Sequence, residues 1–199
     1  EDAAPAAVSA TIGTSSSITS DDANKIAYHL PAMGGLTAGI SHTDRSAAGG
    51  TDSTSYGAKY AMSAGGASFT LGYAIVADEN STQDVDQENM GLKIVSGDIS
   101  VIVSQGGTES NDEDIKNAGA SISYKMPNGM TVGAYTFKSE DDLDAGEEYS
   151  RSGAEIQYTI ASGLTAVINV DDYDYKKGAG DAANNDSGTS SKLTIKAAF

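Results

Sequence analysis

From residue 23 onward, apolar residues alternate with polar or small ones in short runs, each run ending at a cluster of Gly, Asn, Ser or Pro. A period of two puts successive side chains on opposite faces, so these runs predict β-strands with one apolar and one polar face. No stripe at helical spacing interrupts them. On the strands leading into the short clusters, one parity collects Ile26, Tyr28 and Leu30, then Ala58, Tyr60 and Met62, then Met90, Leu92 and Ile94, then Ile122 and Tyr124, then Ile156, Tyr158 and Ile160. On the strands leading out it collects Leu36 and Ile40, Phe69 to Ile75, Ile99 to Val103, Met130 and Val132, and Leu164 to Val170. The opposite parity carries Lys25, His29, Lys59, Lys93, Lys125, Glu155 and Gln157 among Gly, Ser and Thr.

The alternation repeats as a unit. Tyr28, Tyr60, Tyr124 and Tyr158 each precede a short turn and a fresh alternating run, at separations of 32, 64 and 34 residues. The long interval holds a degenerate copy at Leu92–Val101, so one unit is 32 residues or close to it. That length fits a hairpin of two strands of about ten residues with one tight and one long connection. Tight turns are expected near 31–35, 63–67, 96–98, 127–129 and 161–163, and long connections at 43–53, 78–87, 108–116, 139–148 and 176–188. Short turns at one end and long acidic connections at the other polarise the array.

With no amphipathic helix to cover it, the apolar face must meet a second sheet or lipid. Four tyrosines on that face, each near a short turn, are what an aromatic girdle at a membrane interface requires. A cross-strand tyrosine ladder in a soluble sandwich is the other reading.

Composition narrows the function classes. Twenty-eight acids against 12 bases give a net charge of −16, which argues against nucleic acid as a partner. The absence of Cys removes disulfide scaffolds and the usual zinc sites, and His29 and His42 share no metal-binding motif. There is no run of about 18 apolar residues, so no membrane helix is expected, although strands of a barrel can cross without one. The acid clusters Asp84–Glu88, Asn111–Asp114, Glu140–Asp144 and Asp171–Asp174 have oxygen ligands suited to Ca²⁺ but not the spacing of a calcium loop. They are expected as solvated loop tips. No nucleophile elbow or phosphate loop is present, and neither an enzyme activity nor a cofactor or metal is expected.

The last segment alternates through Leu193, Ile195, Ala197 and Phe199, with Lys192 and Lys196 on the polar parity. With the hairpin repeat, it resembles the closing strand of bacterial outer-membrane porins, and the chain from about residue 21 is similar to the later strands of α-proteobacterial general diffusion porins. The resemblance implies an all-β, antiparallel up-and-down transmembrane barrel of about sixteen strands, of which about eleven or twelve are visible here. It also implies passage of small hydrophilic solutes and ions, an outer-membrane lipid surround, a homotrimer, and recognition of the terminal strand by the barrel-assembly machinery. Residues 1–22 are expected to be a loop or upstream strand remnant, and residues 23–199 the barrel domain. Both Phe199's strand and the first clear strand run toward the short turns, so antiparallel closure needs an odd number of further strands. Either Ala7–Gly13 supplies one, making a barrel of about twelve, or about five lie upstream; the Ala/Ser/Thr-rich start favours the second. Lys25, Lys59, Lys93 and Lys125, near the short turns, with Lys192 and Lys196, would line the pore as a basic wall. The competing class is an adhesin-like or lectin-like all-β module using its acidic loops for calcium-dependent contacts.

Overall fold

The structure, a computed structural model, describes residues 24–44, 52–79, 84–111, 113–143, 147–177 and 185–197. They form eleven strands: β1 (Asn24–His29), β2 (Leu36–Asp44), β3 (Asp52–Ala64), β4 (Ala67–Glu79), β5 (Asp84–Ser96), β6 (Ile99–Glu109), β7 (Asp114–Lys125), β8 (Met130–Asp141), β9 (Glu147–Ala161), β10 (Leu164–Lys176) and β11 (Asp186–Ala197). All lie in one sheet in chain order, each antiparallel to the next. The expected up-and-down architecture is the observed one. Tight turns sit where Gly can adopt left-handed backbone: Gly65 and Gly66, at φ 59° and 80°, join β3 to β4 in the twist that suits a two-residue hairpin.

The two faces are sorted opposite to a soluble protein. Every large apolar side chain that is exposed within a strand lies on the parity of Tyr60, Leu71, Leu92 and Ile122, with Leu193 66% and Ile26 73% exposed. The enclosed face is the polar one: Thr43, Ser53, Ile102, Val167 and Asp171 are buried there, the last at 2% exposure. Along β9 the alternation is regular, with Arg151, Gly153, Glu155 and Gln157 half-buried and Ser152, Ala154, Ile156 and Tyr158 exposed. Among the described residues no second sheet or helix covers the apolar face. Leaving so much apolar surface in water would forfeit the main driving force for folding, so hydrocarbon is its physical complement. The sandwich reading fails on this arrangement.

One expectation needs correction. Strands of 11 to 15 residues are commoner than the expected ten, and the long connections shrink accordingly; between β4 and β5 only residues 80–83 remain. The extra length lies at the long-connection end, where the outward parity turns from apolar to charged. There Lys138 pairs with Glu140 and, at 3.2 Å, with Glu148, which also meets Lys176 at 3.3 Å. Lys116 likewise pairs with Asp142 and Asp114. Acid and base alternate across strands, so pairing continues past the apolar band instead of breaking into loop.

Two predictions follow from the faces and the overhang. Leu71→Arg, on the apolar face, should destabilise the folded protein in lipid by about 2–4 kcal/mol, whereas Thr70→Arg on the polar face changes it little; urea unfolding in vesicles measures both. Hydrogen bonds from Lys138 and then Lys176 hold the Glu148 carboxyl below its ordinary value of 4.5. A depressed acid stabilises above its unfolded value and loses that contribution as pH falls through the folded one. Acid unfolding below pH 4.5 should therefore be shallower in Glu148→Gln than in the parent.

Candidate functional site

The polar face is the candidate site, and strand register fixes the height of each residue on it. With strands tilted about 40°, a constant height drifts along the register by about one residue per strand. Lys59 pairs through Gly72 with Gly91, two residues short of Lys93, across two strand steps. His29 reaches Gly57 in two steps, two residues short of Lys59. From Lys93 the register runs through Ile102, Ser121, Tyr135 and Gly153 to Asp171 and Ser190. Gln157 lies four residues past Gly153 after four steps, and Lys196 six past Ser190 after six. His29, Lys59, Lys93, Gln157 and Lys196 thus share one level near the short turns.

The other expected wall residues sit off this level. Lys125 is lower, at the start of the β7–β8 turn, while Lys192 and Glu155 lie above it. Lys25 departs from expectation: it pairs with Thr43 and stands four residues above His29 on β1, further from the short turns than the shared level. It belongs to the upper wall. Among the described residues no ion pair neutralises Lys25, Lys59, Lys93, Lys125, Lys192 or Lys196. Small neighbours, Gly72 and Gly91 among them, leave Lys59 and Lys93 room to extend from the wall.

Residues that parity counting passed over fill the upper wall on β8–β10. Asp171, expected at a loop tip, instead lies within β10, where Arg151 Nη2 donates to its Oδ2 at 2.5 Å and Ser190 Oγ at 3.3 Å. Its Oδ1 is buried without a hydrogen-bond partner among the described residues. It lies over Gly153, where an added Cβ would also come within 2.9 Å of the Tyr135 hydroxyl. Below this pair, Asn169 Nδ2 donates to Glu155 Oε2 at 2.7 Å. Above it, Tyr175 Oη and Lys177 Nζ donate to Glu147 at 2.8 and 2.6 Å. The signal was present in the sequence as aromatic residues on the polar parity: Tyr135 and Phe137 continue the parity of Thr131 and Gly133. No group of three or more His, Asp or Glu side chains among the described residues is placed to hold a metal ion.

On the apolar face, Tyr60 leads by register to Ala120, four residues short of Tyr124 after four steps, and Tyr124 leads to Ile156, two short of Tyr158 after two. Those three tyrosines share a height. Tyr28 pairs with Ile40 opposite Tyr56, four residues from Tyr60 after two steps, so it stands slightly higher. All four are exposed. Leu193, Ile195 and Ala197 face outward on β11; Phe199, like residues 1–22, lies outside the described residues.

A family model described as Gram-negative porin matches residues 2–198. The chain belongs to the Gram-negative porins. Its compartment is therefore the bacterial outer membrane. No curated protein matches it by sequence. Among solved structures it is similar to the anion-selective porin from Comamonas acidovorans, at 15% identity and TM-score 0.65, over 88% of this chain and 59% of that one. OccAB2 of Acinetobacter baumannii matches at 10% identity and TM-score 0.70, over 87% of this chain and 53% of that one. OpdK of Pseudomonas aeruginosa, solved with vanillate, matches at 10% and 0.69, over 87% and 54%. The chain thus spans rather more than half the length of these porins, and the likeness is one of fold.

Within the porin wall the Arg151–Asp171 pair is enclosed, with side chains 15% and 2% exposed. Removing one partner strands a charge. Arg151→Ala should lower stability by about 3 kcal/mol, and adding Asp171→Asn should recover much of it; urea unfolding of the single and double variants in lipid measures the difference.

Proposed function

We propose that this porin lines a water-filled channel through which small hydrophilic solutes and ions diffuse passively across the outer membrane, without catalysis. The observation that carries the proposal is the inverted sorting of faces, with exposed apolar side chains outside and an enclosed polar wall within. A surface of that kind supports lipid on one side and water on the other. β1 and β11 run in the same direction, so an all-antiparallel barrel of about sixteen strands would be completed by five more. β11, with Leu193, Ile195 and Ala197, together with Phe199 after it in sequence, is the proposed recognition signal for the barrel-assembly machinery, and a homotrimer is the proposed assembly.

The level of His29, Lys59, Lys93, Gln157 and Lys196, with Lys125 beneath it and Lys25, Lys192 and Glu155 above, is the proposed selectivity wall. Fixed like charges projecting into a narrow wet passage raise the local concentration of counter-ions and repel co-ions. The lysines favour anions there, while the acidic connections at the other end favour cations at the mouth.

Planar-bilayer recordings test this. The porin should conduct, and Lys59→Glu combined with Lys93→Glu should move the reversal potential in a salt gradient toward cations, by about twofold or more in permeability ratio at low salt. Absence of conductance would sink the channel reading; conductance with unchanged ion preference would sink the role of the lysines.

A further inference from the structure

From β1 to β7 the aromatic residues keep to the apolar face: Tyr28, Tyr56, Tyr60, Phe69, Tyr73 and Tyr124. In β8–β10 five cross over. Tyr135, Phe137, Tyr149, Tyr173 and Tyr175 all share the polar parity and are half-buried, while Tyr158 alone among the aromatics of these strands faces out. Rings on a wet wall gain nothing from lipid, and five of them on three adjacent strands form one patch.

The wall is built to seat these rings across it. Phe137 pairs through Arg151 with Tyr173, and Tyr173 pairs with Gly188. A Cβ at Gly188 would stand 3.2 Å from Tyr173 Cε1 and Oη, so the ring crosses the space that only glycine leaves open. Tyr135 bears on Gly153 in the same way, and Phe137 meets Tyr149 with ring centroids 6.3 Å apart. Successive rows lie two residues apart along the strands, about 7 Å. At the upper end a cavity of about 320 Å³ is lined by Tyr149, Tyr175, Glu147 and Lys177, with Ser139 and Asp141 beside them. That volume lies at the lower end of small-molecule sites.

Polar groups flank the rings throughout, and both bases among them, Arg151 and Lys177, are engaged. Arg151 holds Asp171, Asn169 holds Glu155, and Lys177 holds Glu147. The patch therefore presents ring surface and hydrogen-bonding groups, with both bases paired and one carboxylate, Glu155, held by a neutral amide.

We propose that β8–β10 carry a binding track for uncharged saccharides, running from the long-connection end down toward the lysine level. A sugar ring has apolar C–H faces that lie against aromatic rings and a rim of hydroxyls that bond to charged partners without displacing them. An aromatic carboxylate would need a free base, and an organic cation would have to draw Glu155 away from Asn169. Arg151 and Lys177 are both engaged. The inference rests on the channel reading only in that the solute reaches this wall through the passage.

The test is a titration of maltotriose into the porin in a detergent without a sugar headgroup, followed by tyrosine fluorescence, since the chain has no Trp. A saturable change is expected, with benzoate and benzyltrimethylammonium giving none. Tyr173→Ala and Phe137→Ala should each weaken binding about tenfold, while Tyr173→Phe, which keeps the ring, stays within about twofold. Tyr73→Ala, on the apolar face, should leave binding unchanged. Only variants that keep the parent's heat-modifiable gel mobility are compared, and Tyr175→Ala replaces any that do not. No saturable response to maltotriose, an equal response in folded ring variants, or tighter binding of benzoate or the cation overturns the track. Conductance without saccharide binding overturns the track alone; saccharide binding without conductance overturns the channel reading alone.

Discussion

Hydrocarbon offers no hydrogen-bond partner to a peptide group, and that constraint organises the whole molecule. Each strand from β2 to β10 is paired along both edges, so its N–H and C=O groups are satisfied before lipid is met. Once the backbone is committed to a ladder, side chains have only two directions. The chain assigns one to lipid and the other to water, and every other property of the wall follows from that assignment.

The two halves of the polar wall solve different problems. Across β3–β5, Gly72 and Gly91 are buried beside the half-buried Lys59 and Lys93, so the surface around these two lysines is low. Across β8–β10 the wall is crowded, with Arg151 paired to Asp171 and rings laid over glycines. The role proposed for the first is net field, and for the second shape and short-range contacts. Both use glycine, first to make space for a charge and then to make a seat for a ring.

Period-two alternation and the hairpin repeat were enough to read the sheet, its strand order and its two faces, because a register slip of one residue would have put Leu71 or Ile156 in the lumen. Heights were less legible. Sequence places Lys25 close to its turn, but the six-residue β1 pairs high on the nine-residue β2, opposite Thr43. Strand ends were underestimated because Glu140 and Glu148 look like loop residues until pairing with Lys138 brings them together. Arg151 and Asp171 are twenty positions apart, and nothing local marks them as partners. The crossing of Tyr135 and Tyr173 to the polar face was written plainly in the parity, yet its meaning needed three strands side by side.

The outward placement of apolar residues also shapes the life of the protein before it folds. Because each of Phe69, Leu71 and Tyr73 is followed by a polar, glycine or alanine residue, the unfolded chain never presents the continuous greasy segment that a translocation channel would release sideways into the inner membrane. It can pass through to the periplasm as an ordinary polar polymer, and its net charge of −16 keeps copies apart on the way. Its lipid-seeking surface comes into being only when neighbouring strands align, which confines insertion to the membrane where the wall is assembled.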